Sequence, residues 1–197
     1  IKVTGNANAF SGGLMTSMRY SETGRLELTA EVGYLDLEFK SEELLSSFKS
    51  KGMYYGASAG FVENPLEDLD VYANFTWKRK ASDNITDNID QKIKFDTLQS
   101  LALRFGAYYL FNSLNWGGVI PSVGASAIYE MDGKSKVTVE NMSNSDASLK
   151  GMSGRGQISL AYHNQDTFLP LHTVFTAFGQ LGKREGFGGE VNISFEF

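Results

Sequence analysis

Polar and apolar side chains alternate along most of this chain, and this period of two constrains its fold more than any other feature. Successive side chains of a β-strand point to opposite faces, so each such segment has one apolar and one polar face. The alternation recurs in nine segments, at residues 9–20, 25–34, 53–61, 69–78, 100–111, 123–131, 157–163, 169–181 and 191–197. It predicts an all-β fold of about nine antiparallel strands that run up and down in chain order.

The composition favours twisted, curved strands over helices. The chain has 197 residues with 21 glycines, only 3 prolines and 13% aromatic residues, a mixture that suits curved β-sheets. This length fits one large β-domain, and no segment has the composition of a linker, so we assign residues 1–197 to a single domain. The chain has no cysteine, which excludes disulfide frameworks, thiol catalysis and zinc ribbons.

The ionisable residues do not form the pattern of a nucleic-acid, metal or catalytic site. The net charge is −5, which argues against nucleic acid as a partner. The two histidines, His163 and His172, have no partner at metal-ligand spacing, and we expect them to lie apart as polar strand residues. No nucleophile and base stand out as a pair, so we predict no catalytic residue, no metal and no cofactor, and a chain that is not an enzyme.

The connections between strands alternate in length, and this favours a transmembrane β-barrel. Short links occur at "SETGR", "ENPLED", "NSLNWGG" and "HNQDT", and long polar links at "KSEELLSSFKSKG", "ASDNITDNIDQKI" and "ENMSNSDASLKG". Outer-membrane barrels have short turns on one rim, long loops on the other, and strands of about 9–11 residues with one apolar face. Aromatic residues also lie near strand ends, as an interfacial belt requires, at Tyr20, Tyr34, Phe61, Trp77, Phe111, Tyr129 and Tyr162.

A soluble β-sandwich or lipocalin-like barrel remains an alternative from the pattern alone. Its apolar faces would point inward and bind an apolar ligand, while the polar faces would meet solvent. The length of the strands and the glycine, serine and tyrosine content of the polar faces favour the inverted, membrane arrangement.

Three stretches near the end of the chain resemble the translocator β-domain of autotransporters, the type V secretion family. They contain Tyr129-Glu130 before Asp132-Gly133-Lys134, then Leu149-Lys150-Gly151 with Ser153-Gly154, and the hairpin Gly182-Lys183-Arg184-Glu185-Gly186 before the final strand. The resemblance covers most of the chain and is clearest from residue 100 onward. It implies a twelve-stranded outer-membrane barrel with a periplasmic C-terminus. The nine strands of this chain would then be the fourth to the twelfth strands of that barrel. We therefore expect the pore helix and the first three strands to be missing.

The resemblance also implies a function and partners. Such a barrel exports and anchors an N-terminal passenger at the surface of a Gram-negative bacterium. Its partners would be outer-membrane lipid, the barrel-assembly machinery, periplasmic chaperones and its own passenger segment. A small porin or an adhesin-like barrel remains the alternative among membrane proteins.

Two sets of residues are the candidate functional sites of such a barrel. The polar faces would line a narrow pore, where the lining candidates are Arg104, Glu130, Arg155, Gln157 and Glu190. A terminal aromatic residue is similar to the signal by which these barrels are recognised for membrane assembly. That signal would consist of Val191, Ile193, Phe195 and Phe197.

Overall fold

Nine long strands form one antiparallel sheet. The computed structural model describes residues 3–41, 46–86, 92–95, 97–114, 116–135, 137–139, 142–143, 147–148, 150–164, 171–183 and 185–195. In chain order the strands are β1 (Val3–Arg19), β2 (Gly24–Ser41), β3 (Ser46–Leu66), β4 (Leu69–Lys80), β5 (Leu98–Leu110), β6 (Val119–Glu130), β7 (Gly151–Asn164), β8 (Leu171–Gly182) and β9 (Gly186–Phe195). The prediction of an all-β fold with nine up-and-down strands is confirmed.

Each strand pairs with its neighbours in chain order, which makes the sheet a continuous meander. The sheet curls into a half-barrel, with β1 and β9 at its two edges, and no backbone pairing joins these edges within the described part of the chain. We call the rim with the short connections, between β1 and β2, β3 and β4, and β5 and β6, the turn rim. The opposite rim, the loop rim, carries the long connections.

The long connections of the loop rim contain short strands of their own. Lys92–Phe95 pairs with both Asp83–Thr86 and Val137–Val139, and Val137–Val139 also pairs with Met142–Ser143, so the two connections share a four-stranded sheet. Lys134–Ser135 pairs with Ala147–Ser148. At the turn rim, a 3₁₀ turn spans Asn112–Leu114. In the described ranges, no helix is long and apolar enough to span a bilayer.

The register of the sheet brings the apolar sides of all strands to one convex face. One row of cross-strand partners shows this, running from β2 to β7 through Leu28, Ala59, Phe75, Leu103, Tyr129 and Met152. Many large apolar side chains of this face are exposed, among them Leu28, Phe75 and Ile158. Most of the buried side chains, such as Val62, Ser159 and Thr176, lie on the concave face. The apolar surface is therefore outside and the polar surface inside, the reverse of a soluble barrel.

Glycines on the concave face make room for aromatic rings from the neighbouring strand. Gly124 of β6 pairs with Tyr108 of β5, and a Cβ atom at Gly124 would lie only 2.5 Å from the Tyr108 ring. Gly106 stands in the same relation to Tyr72, whose hydroxyl would be 2.5 Å from an added Cβ. These rings lie against neighbouring backbone that carries no side chain, which is compatible with a strongly curled sheet.

The first three strands are longer than the sequence predicts. The segment "KSEELLSSFKSKG", predicted to be a loop, belongs largely to β2 and β3, which continue to Ser41 and begin at Ser46. Past Tyr34 the convex face becomes charged, with Lys51 Nζ 2.8 Å from Asp36 and Lys49 Nζ 3.5 Å from Glu38. The prediction was wrong because these charges interrupt the apolar pattern, whereas cross-strand ion pairs and backbone hydrogen bonds keep the strands paired.

Candidate functional site

The concave face encloses a cavity of about 580 Å³. Strands from both halves of the sheet line it, for example Arg25 and Glu31 from β2 and Glu190 and Asn192 from β9. The sheet therefore curls far enough that β2 and β9 border the same hollow, and this hollow is the candidate site.

Arg104 connects three strands near the centre of the concave face. Its Nε donates to Ser126 Oγ of β6 at 3.1 Å, and its Nη2 donates to Gln157 Oε1 of β7 at 3.1 Å. The guanidinium carbon also lies 5.8 Å from the centroid of the Tyr72 ring, within the range of a cation–π contact. Arg104 is thus held in one position by neighbours on β4, β6 and β7.

Arg155 is the second fixed cation of the cavity wall. Its side chain is 10% exposed, and its Nη2 lies 2.8 Å from Glu190 Oε1 on β9. The guanidinium stacks on Phe178, 3.7 Å from the ring centroid. Arg155 Nε and the amide nitrogen of its cross-strand neighbour Gln180 are buried without a hydrogen-bond partner in the described part of the chain. Arg155 therefore ties β7 to both β8 and β9.

Glu130 occupies a different environment from the other four predicted lining residues. It is only 1% exposed, and its carboxylate accepts hydrogen bonds from Ser100 Oγ at 2.7 Å and from the backbone N–H of Leu101 at 2.8 Å. It lies at the loop-rim end of β6 and holds that end against β5.

The structure thus distributes the five predicted residues over three settings. Arg104, Arg155 and Glu190 line the cavity. Gln157 lies on the same face as the hydrogen-bond acceptor of Arg104. Glu130 is buried in the wall. Lining of a transmembrane pore by these residues remains a prediction.

The aromatic members of the site were absent from the sequence-based candidates. Tyr72 and Tyr108 stack at 4.9 Å between centroids with an angle of 12° between their planes, and Phe178 supports Arg155. The sequence indicates these three residues by their positions, because all three lie at positions of the polar face in the alternating pattern. The predicted set contains only charged and amide side chains, and it therefore omits the aromatic rings that Arg104 and Arg155 contact.

Among the residues that the structure describes, the charges that line the cavity balance. The basic side chains are those of Arg25, Lys78, Arg104 and Arg155, and the acidic ones are those of Glu27, Glu31, Asp70 and Glu190. Several pair directly, as in Lys78 with Glu31 at 2.6 Å and Arg25 with Glu27 at 2.7 Å. A lining with four charges of each sign is polar, and its formal charges sum to zero.

His163 and His172 are neighbours, contrary to the expectation that they lie apart. They are direct cross-strand partners on β7 and β8, with ring centroids 5.7 Å apart and an angle of 74° between the rings. The sequence did not indicate this contact, because the spacing of two residues along the chain does not reveal whether they pair across a hairpin. No group of three or more potential metal ligands occurs among the residues that the structure describes.

The predicted assembly signal forms the outer side of β9. Val191, Ile193 and Phe195 are 60%, 58% and 51% exposed, and all three lie on the convex face. Phe197 lies outside the described residues.

Comparison with known proteins adds no family to this geometry. No protein-family model matches the chain, and no curated protein matches its sequence at a significant level. The function must be inferred from the shape and chemistry of the sheet and from the sequence motifs.

Proposed function

We propose that this chain is the wall of an outer-membrane translocator barrel that exports an N-terminal passenger and anchors it at the cell surface. The observation that carries the proposal is the exposed apolar convex face. A continuous surface of this kind is rare on soluble monomers and marks contact with protein or lipid. Lipid is the partner that covers every strand of a sheet from one side at once.

Aromatic side chains at both ends of the apolar band support the assignment to a membrane. Tyr55 and Trp77 lie near the loop rim with ring centroids 6.0 Å apart, and Tyr109 and Phe111 lie near the turn rim at 5.2 Å. Tyr and Trp are enriched where hydrocarbon meets the headgroups. A strand tilted by about 40° covers about 20 Å of depth in eight residues, close to the apolar band of an outer-membrane barrel of about 25 Å.

The chemistry of the cavity favours a passage for a polypeptide and argues against a binding pocket for an apolar ligand. Such a ligand requires an apolar interior, whereas the concave face carries arginines, carboxylates and amides. A charge-balanced, hydrated wall offers no strong binding site that would hold a passing polypeptide. A porin-like barrel would share these properties, and the motifs around Tyr129-Glu130 and Gly182–Gly186 favour the translocator.

Surface display of a reporter tests this function. We expect a small reporter placed ahead of the whole protein to be cleaved by protease added outside intact cells. Deletion of Phe197 should leave the protein in the periplasm and abolish cleavage, whereas Phe197→Tyr retains an aromatic ring at this position and should preserve it. An intact protein that never displays the reporter contradicts the translocator. Equal display after the deletion contradicts only the role of Phe197 in assembly.

A further inference from the structure

The histidine pair lies at the turn-rim end of the concave face and consists of one residue from each of two adjacent strands. His163 of β7 and His172 of β8 pair directly across the sheet, and both side chains are half-buried. Ser194 of β9 is the next cross-strand neighbour of His172. The backbone N–H of His163 donates to the carbonyl oxygen of Gly118 at 3.3 Å, so the turn that precedes β6 also holds the backbone beneath the pair.

The separation of the two rings is close to that of two imidazoles on one metal ion. With Zn–N bonds of about 2.0–2.1 Å and a tetrahedral angle, the ring centroids lie about 5 Å apart. The observed distance is 5.7 Å. The terminal torsion of histidine has a broad energy minimum, so small rotations of both rings bring a nitrogen of each onto a shared ion without moving the backbone.

We propose that His163 and His172 form a two-histidine site for a divalent transition-metal ion, with water in the remaining positions. Imidazole nitrogen suits Cu²⁺, Ni²⁺ and Zn²⁺, and affinity for such ligands rises toward Cu²⁺. Mg²⁺ and Ca²⁺ prefer oxygen ligands and are not expected to bind. The site is independent of the proposed translocator function, because it depends only on the pairing of β7 with β8.

An ion bound to both rings would cross-link β7 and β8 beside their connection. Because the pair exists only when the strands are in register, the ion binds the folded sheet more tightly than the unfolded chain. Mass action then raises the resistance of the sheet to unfolding. Water in the open positions leaves the ion exchangeable from the turn rim.

Electron paramagnetic resonance with Cu²⁺ tests the site on the folded protein in detergent, prepared without a polyhistidine tag. One equivalent of Cu²⁺ should give a spectrum with hyperfine lines from two imidazole nitrogens. His163→Gln and His172→Gln should each remove this signal. Ser159→Ala is the matched control and should retain the signal. Ser159 lies on β7, and its Oγ is 2.9 Å from Thr176 Oγ1 of β8.

Two further measurements make the outcome decisive. Circular dichroism identifies variants that remain folded, and His172→Asn provides a smaller change if His172→Gln does not fold. The midpoint of guanidinium unfolding should shift upward with Ni²⁺ in the native protein and in Ser159→Ala, and should not shift in the histidine variants. A two-nitrogen Cu²⁺ signal that survives in either single variant, or no site-specific signal in the native protein, overturns the shared site.

Discussion

Lysine substitutions at successive depths along β9 test whether the convex face meets lipid. Its outward positions are Phe187, Gly189, Val191, Ile193 and Phe195, with Val191 in the middle. Each residue adds about 2.6 Å of depth when a strand is tilted by about 40°. Ile193 therefore lies about 5 Å and Phe195 about 10 Å from the level of Val191.

The expected cost of lysine falls along this series. A lysine costs about 2–4 kcal/mol at the bilayer midplane and about 0–1 kcal/mol near the interface. Interpolation gives losses in the free energy of unfolding of about 3 kcal/mol for Val191→Lys, about 2 for Ile193→Lys and about 1 for Phe195→Lys. Asn192→Lys is the matched control, because Asn192 lines the polar cavity; its effect should stay within about 0.5 kcal/mol.

Guanidinium titration of the protein folded into lipid vesicles, followed by tryptophan fluorescence, measures these differences. The slope of the transition should not change among the variants, so that shifts in the midpoint report stability. Equal losses at Val191 and Asn192 would refute lipid contact, since lipid penalises a charge on the convex face and not on the polar concave face. A series without a gradient from Val191 to Phe195 would refute the assigned depth.

Two further predictions concern the concave face. Glu130→Gln should lower the free energy of unfolding by about 1–3 kcal/mol, because the buried carboxylate accepts two hydrogen bonds from β5. Glu190→Gln should change it by less than about 1 kcal/mol, because the Glu190 side chain is 54% exposed. Guanidinium titration that gives the opposite order contradicts the assigned settings. Gly124→Ala should cost about 1–3 kcal/mol through overlap with the Tyr108 ring. In a double-mutant cycle the loss should shrink in a Tyr108→Ala background, and an additive result would show that the ring does not cause it.

The strands and their faces were predictable because their signal is local. Alternation between neighbours is enough to show that Phe75 and Trp77 share one face and Thr76 takes the other. Where charge interrupts that alternation, as at Asp36 and Lys51, the prediction ended the strands too early. Ion pairs across the hairpin maintain the pairing there, and they involve residues that are distant along the chain.

The candidate site was predictable only in part. Arg104, Arg155 and Glu190 were placed on the polar face from the alternation, and the structure puts them around one cavity. Their partners, such as Phe178 beneath Arg155, depend on which strand lies beside which and in what register. A shift of one residue in that register would move every side chain of a strand to the other face.

The period of two therefore specifies an all-β chain with separate apolar and polar faces, because it is a property of neighbouring residues. Tertiary structure decides which face is concave, which charges meet across the cavity, and that His163 lies beside His172. These contacts join residues from different strands, and the curl of the sheet and its register, which no single segment encodes, set their distances.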